Sequence, residues 1–204
     1  MIVVIDYGAG NLRSVLNAAT RLGYQVKVTG LASELATARV AILPGVGAAA
    51  DSMANLRRLG LVSPIRRFIA EGRPFLGVCI GLQILFTATE EGGWQECLNV
   101  IPGVVRRLPP GLKIPHMGWN QVRQMVSHPI FSGIPDEANF YFVHSFYAEP
   151  EDMSVVAGTT SYGVSICSVI IKDNLIATQF HPEKSGEHGL KMYANFLKMA
   201  PSRR

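Results

Sequence analysis

The sequence predicts a single α/β domain with a mostly parallel central sheet flanked by helices and a strand-rich C-terminal half. Through the first ninety residues, apolar strand-like runs alternate with segments of helical spacing, which is typical of parallel strands covered on both faces. Beyond residue 95, short strand candidates follow one another instead. A chain of 204 residues is large enough for one well-cored domain, so we assign residues 1–204 to one unit.

Short apolar runs predict buried strands in the first half at residues 1–5, 40–43 and 75–78. Apolar residues at helical spacing predict helices over 12–22, 53–59 and 82–89. We expect Gly23 to close the first of these helices. Ser63-Pro64 is expected to cap a further short helix that ends at Gly72.

The second half supplies strand candidates at 140–147, 153–157, 164–171 and 174–180. Residues 172–174, Lys-Asp-Asn, are expected to form the tight turn that joins the last two. A closing helix is predicted from an apolar face formed by Leu190, Tyr193, Ala194 and Leu197.

Cys79 lies between two glycines, after an apolar strand and before a predicted helix. Flanking glycines permit a sharp strand-to-helix turn that lifts the middle side chain above the sheet, as in a nucleophile elbow. A helix N-terminus also favours the thiolate, the nucleophilic form of cysteine. The simpler interpretation is a small buried residue, the usual fate of a free cysteine.

His181-Pro182-Glu183 follows the last predicted strand. A thiol nucleophile needs a base, and the base needs a third group to fix its tautomer and orientation. Two residues apart in extended geometry, His181 and Glu183 would point the same way and share a hydrogen bond. A structural or surface histidine is the alternative, and the cysteine turn makes a catalytic triad the better interpretation.

Pro44-Gly45-Val46-Gly47 follows the strand that precedes the cysteine strand. Glycines permit a loop whose amide N–H groups face a cleft, as a tetrahedral oxyanion requires. They also make a flip of a loop amide sterically easy, so we expect the loop to switch between two states. A simple turn is the alternative.

These three segments, 77–83, 44–47 and 181–185, resemble the three signatures of the class I (triad) glutamine amidotransferases. Segments 5–14, 115–120 and 141–145 resemble the branch formed by the glutaminase subunits of imidazole glycerol phosphate synthases. The resemblance covers essentially the whole chain. Phe146 is a departure, because the family often has Tyr after His-Ser.

The resemblance implies glutamine hydrolysis through a cysteinyl thioester, with Cys79 as nucleophile, His181 as base and Glu183 as its orienting group. It implies that the oxyanion is held at Val46, Gly47 and Ile80. Glutamine is expected to be bound by Gly45, Gln83, Ser145 and Phe146.

The resemblance also implies a partner, a separate cyclase subunit of the (β/α)8 type that forms a heterodimer and receives the ammonia. The cyclase would make imidazole glycerol phosphate and aminoimidazole carboxamide ribonucleotide in histidine biosynthesis. The candidate docking residues are Met117, Trp119, Asn120, Tyr141 and Lys184. A core position is an equal alternative for Trp119.

Bulk composition adds exclusions. The net charge of +4 comes from scattered arginine pairs, which suit a solvated surface better than nucleic-acid binding. Three cysteines without paired spacing, and no signal peptide, suggest a reducing cytoplasmic setting. The histidines form no metal-ligand pattern and there is no apolar run of about 18 residues, so we expect no metal, no cofactor and no membrane span.

Three other functions remain open from the sequence. A glutaminase of another pathway, such as anthranilate or aminodeoxychorismate synthase, would share the triad but not the 116–120 segment. A partner-independent cysteine hydrolase would have no preference for glutamine. A catalytically idle regulatory binder would not need Cys79, His181 and Glu183 together.

Overall fold

The computed structural model describes residues 1–199. Its strands are Ile2–Ile5 (β1), Val26–Thr29 (β2), Val40–Gly45 (β3), Phe75–Cys79 (β4), Phe86–Thr89 (β5), Gln95–Glu96 (β6), Ile101–Arg107 (β7), His116–Gln124 (β8), Ala138–His144 (β9), Phe146–Pro150 (β10), Val156–Tyr162 (β11), Val164–Lys172 (β12) and Leu175–Thr178 (β13). Its α-helices are Leu12–Arg21 (α1), Ala32–Thr37 (α2), Ala49–Arg58 (α3), Val62–Ala70 (α4), Ile80–Gln83 (α5) and Gly186–Lys198 (α6).

The central sheet runs in the order β2-β1-β3-β4-β13-β12-β11-β8-β9. Pairing is parallel from β2 to β13 and antiparallel from β13 to β9. A smaller sheet, β10-β7-β5-β6, contains the remaining strands. The predicted α/β class is therefore confirmed, and the division between the two halves of the chain appears as parallel and antiparallel halves of one sheet.

The centre of the core lies along β3, β4 and β13, whose residues are buried on both faces. Every residue of β3 and β4 is buried, as expected for strands covered by helices on both sides. Helix α1 presents Val15, Ala18 and Ala19 to the core at spacings of three and four, and it packs against α6.

The sheet centre positions the functional residues, because β4 and β13 are parallel neighbours. Val78 pairs with Thr178, so the residues that follow each strand emerge side by side. On the other flank of β4, Gly45 pairs with Cys79. Three segments that are distant in sequence therefore meet at the carboxyl ends of adjacent strands.

The predicted helix over 82–89 is wrong. Helix α5 ends at Gln83, and Phe86–Thr89 is strand β5, in which Phe86 and Ala88 alternate with a half-buried Thr87. A short apolar run fits both periods, and pairing with β7 selects the strand.

Three further boundaries differ. Helix α4 begins at Val62, so Ser63 lies inside its first turn and makes no capping hydrogen bond. The candidate strand at 140–147 is divided at Ser145 into β9 and β10, which belong to different sheets. Residues 153–155 form a 3-10 turn, because the Asp152 side chain accepts a hydrogen bond from the Ser154 amide.

The turn at 172–174 and the closing helix are confirmed by the β12–β13 hairpin and by α6. Within residues 1–199, no helix is both long enough and apolar enough to cross a membrane.

Candidate active site

Cys79 forms the turn between β4 and α5. Its backbone has φ 55° and ψ −108°, an uncommon conformation for a non-glycine residue that often marks a functional site. The flanking glycines serve close packing: a Cβ at Gly81 would overlap the Leu43 carbonyl oxygen, and one at Gly77 would lie 2.7 Å from the Gly81 oxygen. The strained turn is therefore at the cysteine itself, and the glycines allow the neighbouring segments of the backbone to pack closely around it.

His181 and Glu183 form a buried pair beside this turn. The distance from Nδ1 of His181 to Oε1 of Glu183 is 2.7 Å, and the side chains are 1% and 2% exposed. Because the carboxylate accepts, Nδ1 carries a proton and Nε2 faces away from Glu183.

The His181 imidazole is held in its charged form. Burial lowers the pKa of His181, but Cys79 and Glu183 outweigh burial and raise this pKa to about 10. Nε2 of His181 is buried on the side of the Cys79 sulfur, and no hydrogen bond of normal geometry joins these two atoms within residues 1–199.

The Cys79 sulfur also contacts a buried glutamine. Nε2 of Gln179 lies 3.8 Å from Sγ, and Oε1 of Gln179 accepts a hydrogen bond of 3.0 Å from Nε2 of Gln83. The same Gln83 nitrogen donates to the Phe146 carbonyl oxygen at 2.9 Å. Gln83 thus lies on the side of α5 that faces the site.

A second chain of hydrogen bonds reaches the Phe146 carbonyl from the sheet edge. His144 Nδ1 lies 2.9 Å from this oxygen, His116 Nδ1 lies 2.9 Å from His144 Nε2, and Asn120 Nδ2 lies 3.2 Å from His116 Nε2. Since the carbonyl only accepts, each ring donates through Nδ1. Burial lowers the pKa of both histidines to about 4, so both are neutral at neutral pH.

The loop after β3 lies against the cysteine turn. A Cβ at Gly45 would lie 2.6 Å from the Ile80 Cβ and 2.7 Å from the Gly81 nitrogen, so Gly45 is required for close packing. Gly47 has φ +85° and no atoms within 4 Å of its Cβ position. Of the two glycines, only Gly47 has a positive φ, whereas Gly45 is needed for packing; the amide flip itself stays a prediction. The loop ends at Ala49, whose amide donates to Glu91 Oε2 at 2.6 Å.

A cavity of about 420 Å³ opens above the sulfur. The predicted residues that line it are Val46, Gly47, Cys79, Ile80, Gln83, Ser145, Phe146, His181 and Lys184. Gly45 lies beneath this wall, and Glu183 lies behind His181. The structure thus brings together the candidate triad, the candidate oxyanion loop and the glutamine-binding candidates.

The candidate docking residues form a patch beside the cavity. Met117 and Trp119 are 61% and 58% exposed, which places Trp119 at the surface and not in the core. Tyr141 packs edge-on against Trp119, and Lys184 Nζ lies 5.9 Å from the Tyr141 ring centre. Asn120 is turned toward His116 instead. Because Lys184 also lines the cavity, the patch and the cavity are contiguous.

Four polar residues of the site were not predicted: Glu91, His116, His144 and Gln179. Glu91 and His144 line the cavity, and Gln179 contacts the sulfur. Gln179 lies in the predicted strand 174–180, two residues before His181, and this spacing places the two side chains on the same side of the segment. The sequence does not reveal which strand lies beside Gln179 in the sheet. No group of three His, Cys, Asp or Glu side chains within residues 1–199 is arranged to hold a metal ion.

Residues 3–200 match the family model described as glutamine amidotransferase class-I. The chain is 56% identical over 200 residues to the imidazole glycerol phosphate synthase subunit HisH of Dehalococcoides mccartyi strain CBDB1, with 98% of each chain covered. It is 53% identical over 195 residues to the subunit of the same name from Moorella thermoacetica, with 96% of this chain and 93% of that protein covered.

Among solved structures, one of PurLQS from Thermotoga maritima superposes with a TM-score of 0.77 at 20% identity and 97% coverage of both chains. A second, described as a glutamine amidotransferase, has a TM-score of 0.74 at 20% identity and covers 98% of this chain and 99% of that one. At this level of identity the superpositions establish the fold alone.

Proposed function

Because the chain belongs to the class I glutamine amidotransferases, we propose that it is the glutaminase subunit of an imidazole glycerol phosphate synthase. The observation that carries this proposal is the identity of 50–56% over nearly the whole chain to relatives of that name. Cys79, His181 and Glu183 provide the nucleophile, base and orienting group that a glutaminase needs, and the cavity above the sulfur provides room for the substrate. We treat residues 1–204 as one glutamine amidotransferase domain.

Acylation begins with the proton on His181, whose pKa of about 10 keeps the imidazole charged at neutral pH. The Cys79 sulfur attacks the side-chain amide carbon of glutamine, and a carbon–sulfur bond forms. The carbonyl oxygen becomes an oxyanion, which accepts hydrogen bonds from the Ile80 amide and from an amide of the Val46-Gly47 loop. The carbon–nitrogen bond then breaks, and His181 gives its proton to the leaving ammonia.

Deacylation uses the same groups in reverse. His181, now neutral, takes a proton from a water molecule that attacks the thioester carbon. The carbon–sulfur bond breaks, glutamate leaves, and the thiolate and imidazolium are restored. Glu183 holds Nδ1–H throughout, so Nε2 keeps its position opposite the sulfur.

Glutamine fits the remaining walls of the cavity. Gln83, Ser145 and Phe146 also line the cavity, and we assign them to the amino-acid end of the substrate. Glu91 adds a carboxylate that suits the α-ammonium group, and it is already oriented by the Ala49 amide. Phe146 contributes through its backbone, since its carbonyl is the anchor of Gln83. A hydroxyl at position 146 is not required for that contact.

The ammonia acceptor is a separate cyclase subunit of the (β/α)8 type, docked as a heterodimer on the patch of Met117, Trp119, Tyr141 and Lys184. Large exposed apolar and aromatic side chains of this kind are typical of the centre of a protein interface. The contiguity of patch and cavity would let ammonia pass between the subunits without entering solvent. The cyclase makes imidazole glycerol phosphate and aminoimidazole carboxamide ribonucleotide in histidine biosynthesis, which we place in the cytoplasm.

The test is ammonia release from glutamine, with and without a cyclase and its nucleotide ligand. We expect low activity for the chain alone and a strong rise in the ligand-bound complex, because the loop at Gly47 can turn an amide toward the oxyanion. Cys79→Ala should abolish synthesis from glutamine and leave synthesis from ammonium salts intact. Retained glutamine-dependent synthesis in this variant would exclude the mechanism. Equal activity with and without the cyclase would exclude the gating of the loop.

A further inference from the structure

We propose that Gln179 is an additional catalytic residue, which donates a hydrogen bond to the Cys79 sulfur and fixes the orientation of Gln83 through the same amide. This inference deepens the proposed function and rests on it. Gln179 is fully buried and lies directly after β13, so it has no role at the protein surface.

The sheet register places Gln179 beside the nucleophile. Val78 of β4 pairs with Thr178 of β13, and the residues that follow this pair are Cys79 and Gln179. Gln179 and His181 are two residues apart and reach the sulfur from the same segment. The segment is fixed by backbone hydrogen bonds from the Gln179 amide to Ser168 and from the His181 amide to Tyr141, both of 2.9 Å.

The hydrogen-bond network fixes which atom of Gln179 faces the sulfur. The Phe146 carbonyl accepts only, so Nε2 of Gln83 must face it, and the other Nε2 hydrogen of Gln83 points to Gln179. Gln179 must therefore present Oε1 to Gln83 and Nε2 to Sγ. One backbone carbonyl thus sets two side-chain amides, and the result is an N–H donor directed at the sulfur.

A donor in this position favours the reactive form of the sulfur. A thiolate is a much better acceptor than a thiol, and hydrogen bonds to charged groups are the stronger ones. The other contact of Sγ, the Val143 carbonyl at 3.9 Å, is an acceptor that only a protonated thiol satisfies. The Gln179 amide also stays in place while His181 passes its proton, so it stabilises the sulfur when it leaves the thioester.

The same arrangement determines what Gln83 can do. Both hydrogens of its Nε2 are occupied, whereas its Oε1 has no partner within residues 1–199. Gln83 is therefore held with its unpaired acceptor oxygen buried in the wall of the cavity. Loss of the Gln179 acceptor would release this orientation and weaken substrate binding.

Two variants separate these roles. Gln179→Glu keeps an acceptor for Gln83 but replaces the N–H toward the sulfur with a carboxylate oxygen, and Gln179→Met removes both contacts. The decisive measurement is the pH profile of Cys79 alkylation by iodoacetamide, located by mass spectrometry. Cys97 and Cys167 contribute little background, because burial raises their pKa values to about 11 and about 12.

We expect the alkylation profile to move up by about one pH unit in Gln179→Met and further in Gln179→Glu, where a like charge faces the sulfur. In the complex with the cyclase, kcat for glutamine should fall by about tenfold or more in both variants. KM should rise in Gln179→Met and stay near wild type in Gln179→Glu. Asn195→Asp is the matched control. Asn195 lies in α6, and its buried side-chain amide also donates both hydrogens to acceptors. This variant should leave the alkylation profile of Cys79 unchanged.

An unshifted alkylation profile in both folded variants would overturn the role of Gln179. If Gln179→Glu does not fold, the Gln179→Met profile decides alone. Failure of the proposed function looks different: the wild-type protein would then show neither preferential alkylation of Cys79 nor ammonia release from glutamine.

Discussion

Replacing Glu183 by Gln should weaken glutamine hydrolysis without abolishing it. The change removes one charge from a hydrogen bond of 2.7 Å between side chains that are 1% and 2% exposed. An amide oxygen can still accept from Nδ1, so the His181 tautomer is kept. A hydrogen bond to a charged group contributes about 1.5 to 3 kcal/mol, which predicts a loss in kcat of about 10- to 150-fold. His181→Ala removes the base itself and should therefore lower kcat further than Glu183→Gln does.

The assay is steady-state glutamate formation by the complex with its cyclase, together with urea unfolding as a function of pH. In the wild type, the pKa of His181 rises from 6.5 to about 10 on folding. The interactions of His181 with Cys79 and Glu183 therefore stabilise the fold fully below pH 6.5, and this contribution is lost as the pH rises toward 10. Glu183→Gln should flatten this part of the stability profile. Near-wild-type hydrolysis in both Glu183→Gln and His181→Ala would refute the triad.

Three further predictions concern the surroundings of the site. Gly45→Ala should lower the free energy of unfolding by about 1–3 kcal/mol through overpacking, whereas Gly47→Ala should lower it by about 1 kcal/mol and mainly alter activation by the cyclase. Thermal unfolding measures the first effect and ammonia release the second. An equal loss of stability in the two variants would contradict the packing argument. Acidification from pH 6.5 toward 4 should destabilise the protein, because His116 and His144 stay neutral in the folded state and take up protons on unfolding. His144→Gln should lose less stability over the same pH range. A stability curve identical to that of the wild type would contradict this role of His144. Trp119→Ala should weaken cyclase binding by about 2 kcal/mol in calorimetry and leave the unfolding of the isolated chain unchanged; undiminished affinity would move the interface elsewhere.

The sequence located the three site segments because each depends on local chemistry. Cys79 between glycines, His181 two residues before Glu183, and glycines after β3 are short patterns whose geometry follows from the chain itself. Their meeting point also follows, since the carboxyl ends of parallel strands lie at one edge of a sheet.

The rest of the site depends on pairings that one sequence does not reveal. Gln179 faces Cys79 because β13 inserts next to β4, although about a hundred residues separate them in the chain. His116 and His144 meet because β8 and β9 pair with these two residues in register. The segment after Gln83 was misassigned for a related reason, because Phe86–Thr89 becomes a strand only through its pairing with β7. Long-range register, rather than local preference, determined each of these.

The loop after β3 is attached firmly at both ends. Gly45 is wedged against Ile80 and Gly81, and the Ala49 amide is held by the Glu91 carboxylate. Only residues 46–48 lie between these anchors, so the loop cannot swing as a lid and can change only by rotating one or two peptide planes. Activation by a partner would then leave the dimensions of the subunit unchanged. Small-angle scattering would not detect it, whereas the amide resonances of residues 46–48 would report it directly.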